Sequence, residues 1–251
     1  MSRGEPQSTP APATAAAALT ERPGWREDPL ASLRRWKARS KRTIWQHAVK
    51  GRMGANHVRN FLTDRRYGGF AGGTQGTDYL DEGMLGFSSV DYVQLVRIFD
   101  AENDLAIGPD DVLVDIGCGK GRVLNWWLGR GQGNRIYGLE IDEGLAAQAR
   151  DRLAGFPNVT ILTGDALSQL PPDATILFMF NPFWDEVVER FKDRVVEVYG
   201  ERSTLRIAYF MPMFESQFTS DPRFVVKRGQ TKTIYSLSVI TLADAQERAR
   251  R

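Results

Sequence analysis

Between residues 112 and 181 the sequence repeatedly ends an apolar run on an acidic or amide side chain. Asp115 closes Val112 to Val114, Glu140 closes the run from Arg135, Asp165 follows Val159 to Thr163, and Asn181 follows Thr175 to Phe180. The first of these ends opens into the glycine-rich turn Asp115-Ile116-Gly117-Cys118-Gly119-Lys120-Gly121, with an apolar helical pattern beyond it. Glycines at such a turn permit positive φ and close backbone approach to a ligand, and the following helix start offers N–H groups that lack partners. Two phosphate-binding chemistries do not fit. The dinucleotide fingerprint G-x-G-x-x-G needs a third glycine at position 122, which is Arg122, and a P-loop needs Ser or Thr after Gly119-Lys120, where Gly121 stands.

The elements that must carry these residues alternate. Strand-like runs are expected at Val112 to Asp115, Arg135 to Glu140, Val159 to Thr163, Thr175 to Phe180, Leu205 to Phe210, Phe224 to Arg228 and Ile234 to Thr241. Helical patterns lie around Arg122 to Gly129, Glu143 to Leu153 and Trp184 to Tyr199, and Ser88 with Asp91 has the spacing of a helix cap ahead of Val90 to Phe99. Near-continuous apolar strands alternating with helices predict a doubly wound α/β fold with a parallel sheet covered on both faces, and ligands bind at the carboxyl ends of such strands. The short link Gly229 to Thr233 cannot make a parallel crossover, so the seven-stranded, mostly parallel sheet should end in an antiparallel hairpin.

The spacing D-x-G-x-G-x-G resembles the first motif of class I methyltransferases, a Rossmann-like group that binds S-adenosylmethionine. The likeness runs from about Leu80 to Leu242, and Asp115 to Arg122 with Phe180-Asn181-Pro182-Phe183 is most similar to a bacterial group with a D-x-G-x-G-K-G-R loop and an F-N-P-F motif. Members of that group often carry a segment like Asp64-Arg65-Arg66-Tyr67-Gly68 upstream. The resemblance implies that Asp115 receives the cofactor's ammonium and that Gly117, Cys118, Gly119 and Gly121 lie along its methionine and ribose. It implies that Glu140 accepts the ribose hydroxyls, that Asp165 beside Ala166 accepts from the adenine amino group, and that Asn181 faces the transferred methyl. Asn181, Pro182 and Phe183 resemble an N/D-P-P-Y/F motif that grips a target nitrogen, although the second proline is missing and Trp184 takes the usual aromatic slot. The same three residues also read as a strand-terminating turn whose aromatics pack on the core. The function implied is methyl transfer to an acceptor, nitrogen favoured, in a protein lysine, a small amine or a nucleic acid. A methyltransferase-like scaffold without turnover and an NAD-dependent oxidoreductase remain alternatives.

Other chemistry-bearing residues have ordinary readings. Cys118, the single cysteine, is a small filler of the turn and excludes an intramolecular disulfide. Lys120 and Arg122 either brace the turn against acidic neighbours or face solvent. Trp126 and Trp127 read as core, and Phe87, Ser88 and Ser89 could cover the cofactor. His47 and His57 fall outside the likeness, and no spacing suits a metal.

Charge is unevenly distributed. Residues 21 to 66 hold 13 Lys and Arg against 4 Asp and Glu, a net charge of +9 in a chain whose total is +2. Such an arm, residues 22-66, suits an anionic partner such as RNA or a membrane surface, and equally a solvated helix face or contact with the chain's own acidic body. The expected organisation is a disordered tail at 1-24, a basic helical arm with a glycine-rich connection at 25-86, the cofactor-binding domain at 87-244 and a C-terminal tail at 245-251. Within 25-86, one or two basic helices are expected between Pro29 and Val49 and a short helix at Val58 to Asp64. No apolar run is long enough to span a bilayer, no secretory signal is evident, and a cytoplasmic location is expected.

Overall fold

A computed structural model describes residues 54–75, 86–200 and 204–244. The sheet at its centre has seven strands, in the order 159–163, 135–140, 112–116, 176–179, 206–210, 237–242 and 224–228. Strands β3 (Val112–Ile116), β4 (Arg135–Glu140), β5 (Val159–Thr163), β6 (Ile176–Met179) and β7 (Arg206–Phe210) run parallel, and β9 (Leu237–Leu242) lies antiparallel between β7 and β8 (Phe224–Arg228). The chain winds outward from β3 to β4 and β5, then returns to pair β6 on the other side of β3. That reversal opens a crevice outside the carboxyl end of β3, the place where doubly wound sheets bind ligands.

All five residues of β3 are buried, because helices cover both faces of the sheet. Val114 and Ile116 enter one apolar layer with α6 (Asp185–Tyr199), whereas Leu113 enters the other with α2 (Tyr92–Ile98), α3 (Arg122–Leu128) and α4 (Glu143–Leu153). On α6 the buried residues Val187, Val188, Phe191, Val195 and Tyr199 recur every three or four positions, which gives one continuous apolar stripe. Helix α4 is fixed at its start by Asp142, whose carboxylate accepts from the Leu145 amide at 2.8 Å. Arg150 and Arg152 in its last turn sit where the helix dipole favours cations.

Several expectations need correction. The final strand begins at Leu237 instead of Ile234, because Ile234 is 95% exposed and the Thr231 hydroxyl donates to the Tyr235 carbonyl, folding the link back on itself. Ser88 does not cap α2; it lies in β2 (Phe87–Ser88), which pairs with β1 (Thr74–Gln75). Asp91 occupies the cap position, yet its carboxylate accepts from the Asn60 amide instead of the helix. Within the described part of the glycine-rich connection, helix α1 spans 54–66, longer than the short helix anticipated there. The short helices α5 (Ala166–Gln169) and α7 (Glu215–Thr219) left no periodicity to read, being about one turn each. The tails, the helices expected between Pro29 and Val49 and His47 lie outside the described residues.

Candidate cofactor site

The turn after β3 is held in shape by its neighbours. Gly117, Gly119 and Gly121 adopt φ of +74°, +52° and +78°, a region that side chains disfavour. The Gly117 and Cys118 amides both donate to the Leu139 carbonyl at the end of β4, at 2.8 and 3.0 Å. A Cβ on Gly117 would lie 3.1 Å from Pro182, so the turn after β3 and the turn after β6 touch there. A Cβ on Gly138 would lie 2.7 Å from the Cys118 sulfur; the buried thiol fills that gap over β4.

An open cleft lies against this turn. Asp115 and Gly117 line it together with Glu140, Ala166, Asn181 and Pro182, which come from four different strand ends. Asp165 directly precedes Ala166 as the cap of α5; one carboxylate oxygen accepts from the Leu167 amide at 2.9 Å. Ser88 and Ser89, read from the sequence as a cover for the cofactor, line the cleft, and so do Asp142 and Gly164, which spacing did not single out. Gly164 directly precedes Asp165, so the glycine-acid pair was the available signal.

The carboxylates differ in how they are satisfied. Glu140 accepts from the Gly119 amide at 2.7 Å and from the Asp142 amide at 3.0 Å, so it braces the glycine turn as well as facing the cleft. Burial raises its pKa above the ordinary carboxylate range, and the two amides oppose that rise. Asp115 is 2% exposed, the little surface it keeps faces the cleft, and no described side chain or amide donates to its carboxylate. Burial first, and the nearby Glu140 charge second, push its pKa well up. A buried carboxylate without a donor is a costly group whose need a cationic or N–H-bearing ligand would meet. The Cys118 thiol is likewise raised by burial and by both acids, which keeps it protonated and inert.

Asn181 sits at the cleft with φ of +46°, and Met211, at the end of β7, is also left-handed at +49°. The Asn181 amide bridges them: its nitrogen donates to the Met211 carbonyl at 2.7 Å, and its oxygen accepts from the Met213 amide at 3.0 Å. Phe183 is 2% exposed with its ring 5.5 Å from that of Phe191, so it walls the cleft from the core side. Trp184 is 40% exposed and meets Phe214 edge-on. Arg122, which replaces the third glycine of a dinucleotide fingerprint, is 5% exposed and paired with Asp64. Of the two readings open for it, the bracing one matches this geometry.

Residues 113–199 match a family model described as Methyltransferase domain. Together with the strand order and the glycine turn, that match makes this part of the chain a class I methyltransferase domain, and S-adenosylmethionine is the cofactor of that class. Over 101 residues the chain is 37% identical to ribosomal RNA small subunit methyltransferase A of Thermotoga neapolitana, covering 37% of this chain and 38% of that protein. It is 34% identical over 101 residues to trans-aconitate 2-methyltransferase of Sinorhizobium medicae, covering 39% and 38%. The chain thus spans under two fifths of the length of these curated relatives. Among solved structures it resembles an RNA methyltransferase from Salinibacter ruber in complex with S-adenosylhomocysteine, with a TM-score of 0.43, 19% identity, and 60% and 90% of the two chains covered.

Among the described residues no helix is long and apolar enough to cross a membrane, and no group of three His, Cys, Asp or Glu side chains could hold a metal ion.

Proposed function

We propose that this protein is an S-adenosylmethionine-dependent methyltransferase acting on a nitrogen of a nucleic acid, RNA before DNA. The observation that carries the cofactor part is Asp115: a buried carboxylate without a donor, at the foot of a glycine turn, in a domain of this family. In this reading Asp115 takes the ammonium, Gly117 to Gly121 lie along the methionine and ribose, Glu140 accepts from the ribose hydroxyls and Asp165 from the adenine amino group. The cofactor supplies an activated methyl on a sulfonium, which leaves without acid assistance. The protein's task is alignment of acceptor and methyl, worth about 7–11 kcal/mol of barrier in well-oriented systems.

Three curated relatives named as ribosomal RNA methyltransferases support an RNA acceptor. The exposed Arg59, Arg65 and Arg66 on α1 extend the basic character of residues 22-66 to the described surface. The amide of Asn181 shapes the acceptor side by fixing the turn after β7, while Pro182 and Trp184 offer flat apolar surface for a planar ring. A cytoplasmic location follows from this reading.

Incubation with methyl-labelled S-adenosylmethionine and a cell extract, followed by fractionation, tests it. Label in RNA is the expected outcome; label in protein or small molecules would reassign the acceptor. Absence of label, with no calorimetric heat from S-adenosylhomocysteine, would reject catalysis in favour of a scaffold. A melting shift from NAD alone would favour the oxidoreductase.

A further inference from the structure

Beside the glycine turn, a buried polar cluster joins it to α1 and the residues that follow, and its members Arg122 and Ser89 also line the cleft. Asp64 on α1 is fully buried and its carboxylate has four donors. One oxygen accepts from the Tyr92 hydroxyl at 2.7 Å and the Arg122 Nε at 3.3 Å; the other accepts from Arg122 Nη2 at 2.6 Å and the Ala71 amide at 3.1 Å. Arg122 is the first residue of α3, immediately after Gly121. Its guanidinium lies over the Phe70 and Tyr92 rings, 5.8 and 5.7 Å from their centroids, and Nη1 donates to the Ser89 hydroxyl at 3.0 Å. A Cβ on Gly72 would collide with that guanidinium.

A second arginine closes the other side. Arg152, at the end of α4, donates from Nη2 to the Lys120 carbonyl within the turn and from Nη1 to the Tyr67 carbonyl at 2.6 Å. Nη1 also reaches the Asn125 side-chain oxygen at 3.2 Å, and Asn125 donates to the Tyr92 hydroxyl at 3.0 Å, which closes a ring of contacts back to Asp64. Gly68, with φ of +86°, is where a Cβ would press to 2.9 Å from Arg152 Cγ. The segment Asp64-Arg65-Arg66-Tyr67-Gly68-Gly69 therefore supplies a carboxylate, a carbonyl and a glycine gap to two arginines that grip the turn at Lys120 and just beyond Gly121.

We propose that Asp64 and the Tyr67 carbonyl are positioning groups of the cofactor site, acting through Arg122 and Arg152 to hold the turn where Asp115 and Gly117 meet the ligand's amino-acid end. The proposal rests on the cofactor reading above and adds the expectation that residues on a helix outside the cleft set its affinity. Their grip falls on Lys120 and Arg122, against the methionine half of the ligand; the adenine half lies by Asp165 and Ala166 after β5. Loosening the brace should therefore weaken binding of the amino-acid moiety and spare the nucleoside.

Two probes separate those halves: S-adenosylhomocysteine, which carries the amino acid, and 5′-methylthioadenosine, which lacks it. In Asp64→Asn and in Arg152→Lys, titration calorimetry should show the first weakened at least tenfold and the second changed less than threefold. The melting temperature of each unliganded variant is recorded alongside. Because Asp64→Asn alters a fully buried ion pair, Arg152→Lys, at a half-buried site, carries the test if that variant does not fold. Unchanged affinity for S-adenosylhomocysteine in a folded variant, or equal loss for both probes, would overturn the proposal. Failure of the unsubstituted protein to bind either probe would instead reject the cofactor reading.

Discussion

Asp115 and Asp64 are both buried aspartates beside the same glycine turn, and their surroundings are opposite. Asp64 accepts four hydrogen bonds, two of them from Arg122, and belongs to the folded structure whether or not a ligand is bound. Asp115 accepts none among the described residues and is pushed toward its protonated form by burial and by Glu140. Geometry that satisfies a charge internally serves stability; geometry that withholds a partner reserves the charge for something that arrives. The pair shows how one loop can be held rigid by one acid while it presents another to a ligand.

Removing Asp64 should have the largest effect on the fold. Asp64→Ala leaves the Arg122 guanidinium buried against Tyr92 without its counter-charge, a change that costs about 3–5 kcal/mol. Urea denaturation of the unliganded protein measures it. A loss below about 1 kcal/mol would mean that water reaches Arg122 and that the two aspartates differ less than their geometry indicates.

Asp115→Asn should act in the reverse sense on two quantities at once. Unliganded stability should rise by about 1–2 kcal/mol, the usual return from relieving a strained functional site. S-adenosylhomocysteine affinity should fall by roughly 10- to 150-fold, the equivalent of about 1.5–3 kcal/mol for a charged hydrogen bond. The pH dependence has a definite sign. A carboxyl whose folded pKa lies above its unfolded value of about 4 stabilises fully below that value, and the contribution disappears as pH rises through the folded pKa. The unliganded protein should thus lose stability as pH climbs from about 4 through the raised Asp115 pKa, and Asp115→Asn should flatten that slope. Ligand binding runs the other way: the ammonium requires the ionised form, so affinity falls as pH drops through the same window. Matching slopes in the Asn variant and the unsubstituted protein would show that Asp115 is not the group responsible.

The cleft was legible in the sequence because its parts are local. Asp115, Glu140, Asp165 and Asn181 each end or follow an apolar run, and a doubly wound sheet gathers strand ends on one edge without any further information. The brace was not legible. Asp64 and Arg122 are 58 positions apart, Tyr67 and Arg152 are 85 apart, and neither pair falls on a common period. The sequence did contain a trace of the brace in Asp64-Arg65-Arg66-Tyr67-Gly68, but only the coordinates give each residue of that string a partner. Charge counting pointed away from it, since the excess of arginine around α1 drew notice as a surface while its one carboxylate faces inward. Asn181 falls between these cases: its place at the cleft followed from β6, while its engagement with Met211 and Met213 depended on a loop 30 residues on.

Cys118 sits within the glycine turn that both aspartates adjoin and can report on it at the smallest energetic scale. As the single cysteine, it gives an unambiguous chemical signal. The thiol is buried in the gap above Gly138, and burial with the Asp115 and Glu140 charges raises its pKa, so thiolate is scarce at neutral pH. Alkylation by iodoacetamide should accordingly be slow in the folded protein and proceed through opening of the turn. Arg152→Lys should accelerate it severalfold by releasing the Lys120 carbonyl, whereas S-adenosylhomocysteine should slow it by filling the cleft. Asp115→Asn should leave the opening rate close to that of the unsubstituted protein, because it alters charge in the cleft without touching the brace. Equal acceleration by Arg152→Lys and Asp115→Asn would mean that the turn moves as one piece with the cleft wall, and the division of labour between brace and cleft would fail.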